Sequence, residues 1–117
     1  LDPTGSAFEQ GKAIVLESTA TAMAHIWLVT KGNSRIDQIN TGCDWVRLNL
    51  ATTAEGVAMQ PLSQALQEYP EMAGHYDQIQ KLLAPEVGTV QMLGRLGYCA
   101  AVPASPRWPI EKKILNG

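Results

Sequence analysis

An excess of positive charge is missing from this sequence: nine Lys and Arg stand against eleven Asp and Glu, a net charge of −2 over 117 residues. The basic residues, from Lys12 to Lys113, are scattered rather than massed, so the electrostatic footprint of phosphate-backbone binding is absent and nucleic acid is disfavoured as a partner. Long apolar runs are missing too. The longest, Ala24 to Val29 with His25 inside it, is far short of the ~20 residues that cross a bilayer, and no basic stretch followed by an apolar one opens the sequence. Cysteine and histidine are sparse. Cys43 and Cys99 are too far apart for a redox or zinc signature, and His25 and His75 have no ligand spacing, so no metal site is expected. Two buried or half-buried thiols are the expectation for the cysteines, as is usual for free Cys. Catalytic motifs are lacking as well: there is no GxSxG, no HExxH and no P-loop. The fragment Gly94-Arg95-Leu96-Gly97 lies inside a strand pattern, without the helix a dinucleotide site requires.

What is present is the composition of an ordinary globular domain, 45% hydrophobic and 17% charged, and residues 1–117 are read as one domain. A chain of this size has proportionally much surface, so an exposed apolar face would imply a missing partner. The chain opens at Leu1 without a methionine, and a longer parent is expected. A cytoplasmic location is the expectation, with an exported parent as the alternative.

Residues 1–11, with Pro3, Gly5 and Gly11 among polar residues, read as an irregular lead-in. The run from Lys12 to Met23 is ambiguous between a short strand at Ile14-Val15-Leu16 and a helix favoured by its alanines, and helix is preferred. Ala24 to Thr30 is rich in β-formers and ends in the turn signal Lys31-Gly32-Asn33, which predicts a buried strand. Ser34 with Asp37 has the form of a capping box. Ile36, Ile39, Cys43, Val46, Leu50 and Thr53 then recur at helical spacing as far as Gly56, predicting a long amphipathic helix. Gly42 inside it either lets another backbone approach or is merely tolerated, at about 1 kcal/mol relative to Ala.

Val57 to Pro61 reads as a short extended segment, and Ser63 as the cap of a brief helix ending near Tyr69. Pro70 suits a first helical position, and Met72, Tyr76, Ile79 and Leu83 mark a face of a helix stopping before Pro85. Thr89 to Tyr98 alternates Val90, Met92, Leu96 and Tyr98 against Gln91, Leu93 and Arg95, a strand in which Gly94 and Gly97 leave room for a bend or for something lying against the backbone. The three prolines within Pro103 to Pro109 forbid a continuous helix, so residues 103–117 are expected to form an extended arm. The order of elements predicts an α+β layer structure, a mixed sheet packed by the long helix.

Three stretches carry a resemblance. The first runs from Trp45 through Arg47, Asn49 and Gly56 to Gln60-Pro61-Leu62-Ser63, the second is Met92-Leu93-Gly94-Arg95-Leu96-Gly97-Tyr98, and the third is Ser105-Pro106-Arg107-Trp108-Pro109-Ile110. In order and spacing over residues 24–115 they resemble the C-terminal half of the nitroreductase-like FMN-dependent oxidoreductases. The blend, with its Ser-Pro-Arg and Gln-Pro-Leu-Ser stretches, is most similar to the divergent branch related to the mycobacterial Acg proteins.

The resemblance implies the nitroreductase-like α+β fold, a homodimer with FMN at the interface, NAD(P)H as reductant and a small electron-poor molecule as acceptor. It places Arg107 on the FMN phosphate, a role suited to a forked, permanent cation, with a solvated tail arginine as the alternative. It places Pro61, Leu62, Ser63 and Gln64 against the isoalloxazine ring. Many relatives have an acidic residue and a glycine where this chain has Ser63 and Gln64, and a plain N-cap is the other reading of Ser63. Arg95 either reaches the cofactor or forms an ion pair at the sheet's edge. Trp27, Trp45 and Trp108 either line a flavin pocket or anchor a core or interface. No side chain is assigned as a catalytic acid or base, because the cofactor carries the redox chemistry. Two rival functions stand beside this one: a flavin-binding or sequestering protein without turnover, and a flavin-free dimerisation domain.

Overall fold

A computed structural model describes residues 5–100, 103 and 105–114. Its regular elements are α1 (Ser6–Ala20), β1 (Ala24–Thr30), α2 (Arg35–Ala54), β2 (Ala58–Pro61), α3 (Ala73–Leu83) and β3 (Thr89–Gly97), with short 3-10 turns at Gln64–Leu66, Pro70–Met72 and Ile110–Lys112. The fold is α+β, as expected. The sheet is not mixed, however: its order is β1-β3-β2, and both outer strands are antiparallel to β3. β1 and β2 therefore point the same way with α2 as the crossover between them, and β3 fills the slot the crossover leaves open, a split βαβ arrangement.

The local reasons are visible residue by residue. Ser34 starts α2 with a complete capping box: its N–H donates to the Asp37 carboxylate at 2.9 Å, and the Asp37 N–H donates back to the Ser34 hydroxyl oxygen at 3.3 Å. The helix ends in a Schellman turn. Val57 N–H donates to the Thr52 carbonyl at 2.8 Å and Gly56 N–H to that of Thr53 at 3.1 Å, with Gly56 at φ +69°, which a side chain would resist. That turn aims the chain directly into β2.

α2 lies on the face of the sheet that carries Gly94. The cross-strand row Ile26–Gly94–Pro61 runs beneath it, and a Cβ at Gly94 would stand 2.6 Å from Cη2 of Trp45 and 3.1 Å from the Gln60 carbonyl oxygen. Room left by the glycine is thus filled by Trp45. α3 is fastened to the start of β3 by Gln80, whose side chain accepts from Val90 N–H at 2.8 Å and donates to the Val90 carbonyl at 3.1 Å. Val90, 2% exposed, is the buried hydrophobic residue among those described.

Several expectations are corrected. Ser6 to Gly11 belong to α1 rather than to an irregular lead-in, while residues 1–4 lie outside the described part. β1 is a strand but is not buried: Ile26, Leu28 and Thr30 are half-buried on the helix side, and His25, Trp27 and Val29 are exposed on the other. The predicted amphipathic face of α2 also lies outward. Ile36, Ile39, Cys43, Val46, Leu50 and Thr53 are exposed, whereas Thr41, Trp45, Leu48 and Thr52, on the opposite side, are buried or half-buried. Sheet packing on α2 thus uses a tryptophan, a leucine and two threonines, a stripe that a search for regularly spaced aliphatics passes over.

Both cysteines are exposed rather than buried. Nothing lies within 4 Å of a Cβ built at Gly42, so that glycine is tolerated within this chain and makes room for no other element of it. Ser63 sits before a 3-10 turn without a side-chain cap bond, because its backbone is already in the helical region. Residues 105–109 of the predicted arm are without regular structure, as three prolines require, and Ile110–Lys112 closes one 3-10 turn. The end of the arm, residues 115–117, lies outside the described part.

Two tests follow from these contacts, both read as urea midpoints at unchanged m-value. Gly94→Ala drives a methyl into Trp45 and is expected to lower stability by about 1–3 kcal/mol. Gly42→Ala fills open space in mid-helix and is expected to raise it by about 0.5–1 kcal/mol. The Asp37 carboxyl is held below its ordinary value by hydrogen bonds from the Ser34 side chain and then the Ser34 backbone. A depressed carboxylate adds stability that is present above its unfolded value and lost as pH falls through the folded one. The stability lost on acidification below about pH 4 should therefore be smaller in Ser34→Ala, which at neutral pH costs about 1 kcal/mol.

Candidate functional site

Helix α2 covers one face of the sheet. On the other, register sets His25, Arg95 and Gln60 in one row across the three strands, with Trp27 and Leu93 paired in a neighbouring row. Arg95 is therefore on the central strand and not at an edge. Its expected ion pair is absent as well, since among the described residues the two salt bridges are Lys12–Glu9 and Arg47–Asp44, both exposed i,i+3 pairs of little stabilising effect.

Instead the Arg95 guanidinium is held by neutral acceptors. Nε donates to Gln60 Oε1 at 2.8 Å and Nη2 donates to the same oxygen, while Nη1 donates to the carbonyl of Ser18 near the end of α1. The guanidinium thus ties α1 to two strands while keeping its full charge. Two of its five N–H groups remain outside these three bonds.

Beside it lies a cleft of about 450 Å³, where β2 begins, β3 ends and the turn before β1 passes. Met23, Met59, Gln60, Arg95, Leu96, Tyr98 and Cys99 line it together with small residues, and none of the described lining residues is a carboxylate. The volume is in the range of small-ligand sites, ~300–1,000 Å³. A single charged group over thioether, aliphatic and phenol surface suits a flat molecule with a negative or carbonyl edge, because the guanidinium offers donors and the sulfurs offer polarizable contact.

The sequence-predicted residues fall as follows. Arg95 lines the cleft. Pro61 closes β2, and Leu62 continues the pairing by donating its N–H to the Leu93 carbonyl at 2.8 Å. Ser63 and Gln64 form the turn beyond, and Arg107 is exposed in the arm; none of these five is among the cleft's lining residues. Of the tryptophans, Trp45 is a packing residue, Trp27 is 43% exposed on the open sheet face, and Trp108 is exposed with the Lys113 ammonium 4.8 Å from its ring centre.

Sequence reasoning missed Gln60 as the partner of Arg95, and Met23 and Met59 as lining residues. The only signal for Gln60 was its place one residue before Pro61; its opposition to Arg95 is set by strand register. No group of His, Cys, Asp and Glu suited to a metal occurs among the described residues, and no described helix is long and apolar enough to cross a membrane. The Tyr76 phenol is pushed up, by burial first and then by Glu68 and Asp77, but it stands on α3 away from the cleft.

In class the chain is a small α+β protein built on a three-stranded antiparallel sheet. Comparison with protein-family models, with curated proteins and with solved structures finds no match to it.

The geometry of Arg95 generates a direct test. Arg95→Lys keeps the charge but cannot reach Gln60 and the Ser18 carbonyl together, so it should lose about 1–2 kcal/mol in urea unfolding. Arg95→Met should lose a similar amount. A lysine variant as stable as the parent would mean that charge, not the fork, is what the site uses.

Proposed function

We propose that this chain is the C-terminal part of a nitroreductase-like, FMN-dependent oxidoreductase that works as a homodimer and passes hydride from NAD(P)H to an electron-poor small molecule. One observation carries the reading. The first two stretches that resemble the family lie far apart in the sequence, yet they meet as paired strands, with Gln60 opposite Arg95 and Pro61 opposite Gly94. The resemblance thus falls on one continuous surface instead of scattered segments.

The residues present suit part of such a cofactor. Arg95 brings a guanidinium with donors outside its three bonds to a cleft whose described lining carries no carboxylate, and the Pro61–Gln64 turn follows directly from the strand that lines it. Arg107 offers a second fork in an arm whose flanking Pro106 and Pro109 restrict its backbone. FMN, when bound, supplies the hydride chemistry, which is why no side chain here need act as acid or base. The protein's part is to place the ring, donate hydrogen bonds to its polar edge and exclude water.

The test uses the chain and its longer parent, each titrated with FMN and followed by flavin fluorescence, then by NAD(P)H oxidation. The parent is expected to bind and turn over, and the chain by itself to bind weakly. In the parent, Arg107→Gln should weaken FMN by about 10–100-fold, the usual worth of a charged hydrogen bond. Bound flavin without NAD(P)H oxidation would favour a flavin-holding protein, and a parent that binds no flavin would overturn the reading.

A further inference from the structure

The cleft beside Arg95 has a floor, a cation and a polarity that together select a ligand. Register on the open face of the sheet sets Ala58 opposite Gly97, in the row next to Gln60 and Arg95. Neither position carries more than a methyl group, so a flat patch of strand backbone lies between the guanidinium and the Tyr98–Cys99 end of the cleft. Met23 borders that patch: a Cβ built at Gly97 would meet its Cγ at 4.0 Å and nothing nearer. A flat floor without side chains, edged by a thioether, is a surface on which an aromatic ring can lie.

Arg95 and Gln60 decide what the ring must carry. The three bonds of Arg95 use one N–H each on Nε, Nη1 and Nη2, which leaves one on each terminal nitrogen. Gln60 turns its amide oxygen to Arg95, and its amide nitrogen makes no hydrogen bond among the described residues. These donors stand at one end of the floor and match the two oxygens of a carboxylate.

A single negative charge is also what the surroundings admit. Among the described lining residues Arg95 is the one charged side chain. Thr21 and Ala22, at the C-terminal end of α1, form another wall, and the negative end of that helix dipole opposes a second negative charge. A phosphate dianion would meet one cation and a repelling wall, whereas a monoanion is matched one to one.

We infer that this cleft binds a planar aromatic monocarboxylate, with its ring on the Ala58–Gly97 floor against Met23 and its carboxylate on Arg95 and Gln60. The inference goes beyond the flavin reading and does not rest on it, because Arg107 and the Pro61–Gln64 turn lie outside the cleft's lining.

The methionines supply the readout, since Met23 lines the cleft and Met72 and Met92 do not. In the flavin-free chain, labelled at the methionine methyl groups, titration with 2-naphthoate is expected to shift the Met23 resonance with a Kd of roughly 0.1–1 mM and to leave Met72 and Met92 in place. The neutral isostere 2-naphthamide should bind at least ~10-fold more weakly, and Arg95→Met should weaken 2-naphthoate by about 10–100-fold, as loss of a charged hydrogen bond does. The ester 2-naphthyl phosphate should bind more weakly than 2-naphthoate. Gly97→Val leaves the bonds of Arg95 intact, suits a strand, and meets Met23 only at ordinary contact distance, so the circular dichroism should persist while the filled floor abolishes binding. No Met23 shift at about 10 mM 2-naphthoate, an amide or phosphate ester bound as tightly, or binding that survives Gly97→Val would overturn the inference, whatever the flavin titration shows. A parent without affinity for FMN would overturn the flavin reading and leave this one standing.

Discussion

The seating of Trp45 on Gly94 is the contact on which the rest of the molecule depends. An indole atom occupies the space a Cβ would need on the central strand, so α2 can approach β3 closely while the same strand holds β1 on one side and β2 on the other. Remove that approach and the crossover loses its seat. The capping box at Ser34 and the Schellman turn at Gly56 then set only where the helix starts and stops; the tryptophan sets which side of it faces the sheet. Packing of this kind is sensitive to single methyl groups because protein interiors are close-packed and have little room to yield.

One consequence is an inversion of the helix. Choosing Trp45, Thr41, Leu48 and Thr52 for the sheet leaves the regular aliphatic stripe facing outward, together with an open sheet face bearing Trp27 and Leu93. A small chain with so few residues fully buried has a thin hydrophobic core, and apolar surface of this extent is usually interface. The two exposed surfaces differ in character. The α2 stripe is uncharged and evenly spaced; the row His25–Arg95–Gln60 is polar and irregular, suited to a small ligand or to another part of a larger fold.

Arg95 links architecture and chemistry. Its bonds to Gln60 and to the Ser18 carbonyl fasten α1 to the sheet with acceptors that carry no net charge, so the cation is positioned without being neutralised. A carboxylate partner would have stiffened the site equally well and cancelled its attraction for an anionic or carbonyl edge. The cleft beside it, with sulfur and phenol surface and no acid among its described residues, is consistent with that division of labour.

Local chemistry made much of this readable in the sequence. Capping at Ser34–Asp37, the stop at Gly56, the β-formers of Ala24–Thr30, the alternation in Thr89–Tyr98 and the prolines of the arm each act over a few residues, and the corresponding features are there in the chain. Periodicity also established that α2 has an aliphatic stripe, though not which way it faces, because spacing cannot distinguish a stripe turned to the protein's own sheet from one turned outward. Tertiary structure alone decided the antiparallel sheet with β3 at its centre, the pairing of Arg95 with Gln60, and the exposure of both cysteines. The pairing of Arg95 with Gln60 depends on strand register, since a one-residue slip would have turned either side chain to the opposite face, and the rest depends on contacts between residues up to 77 positions apart, which no window along the sequence contains.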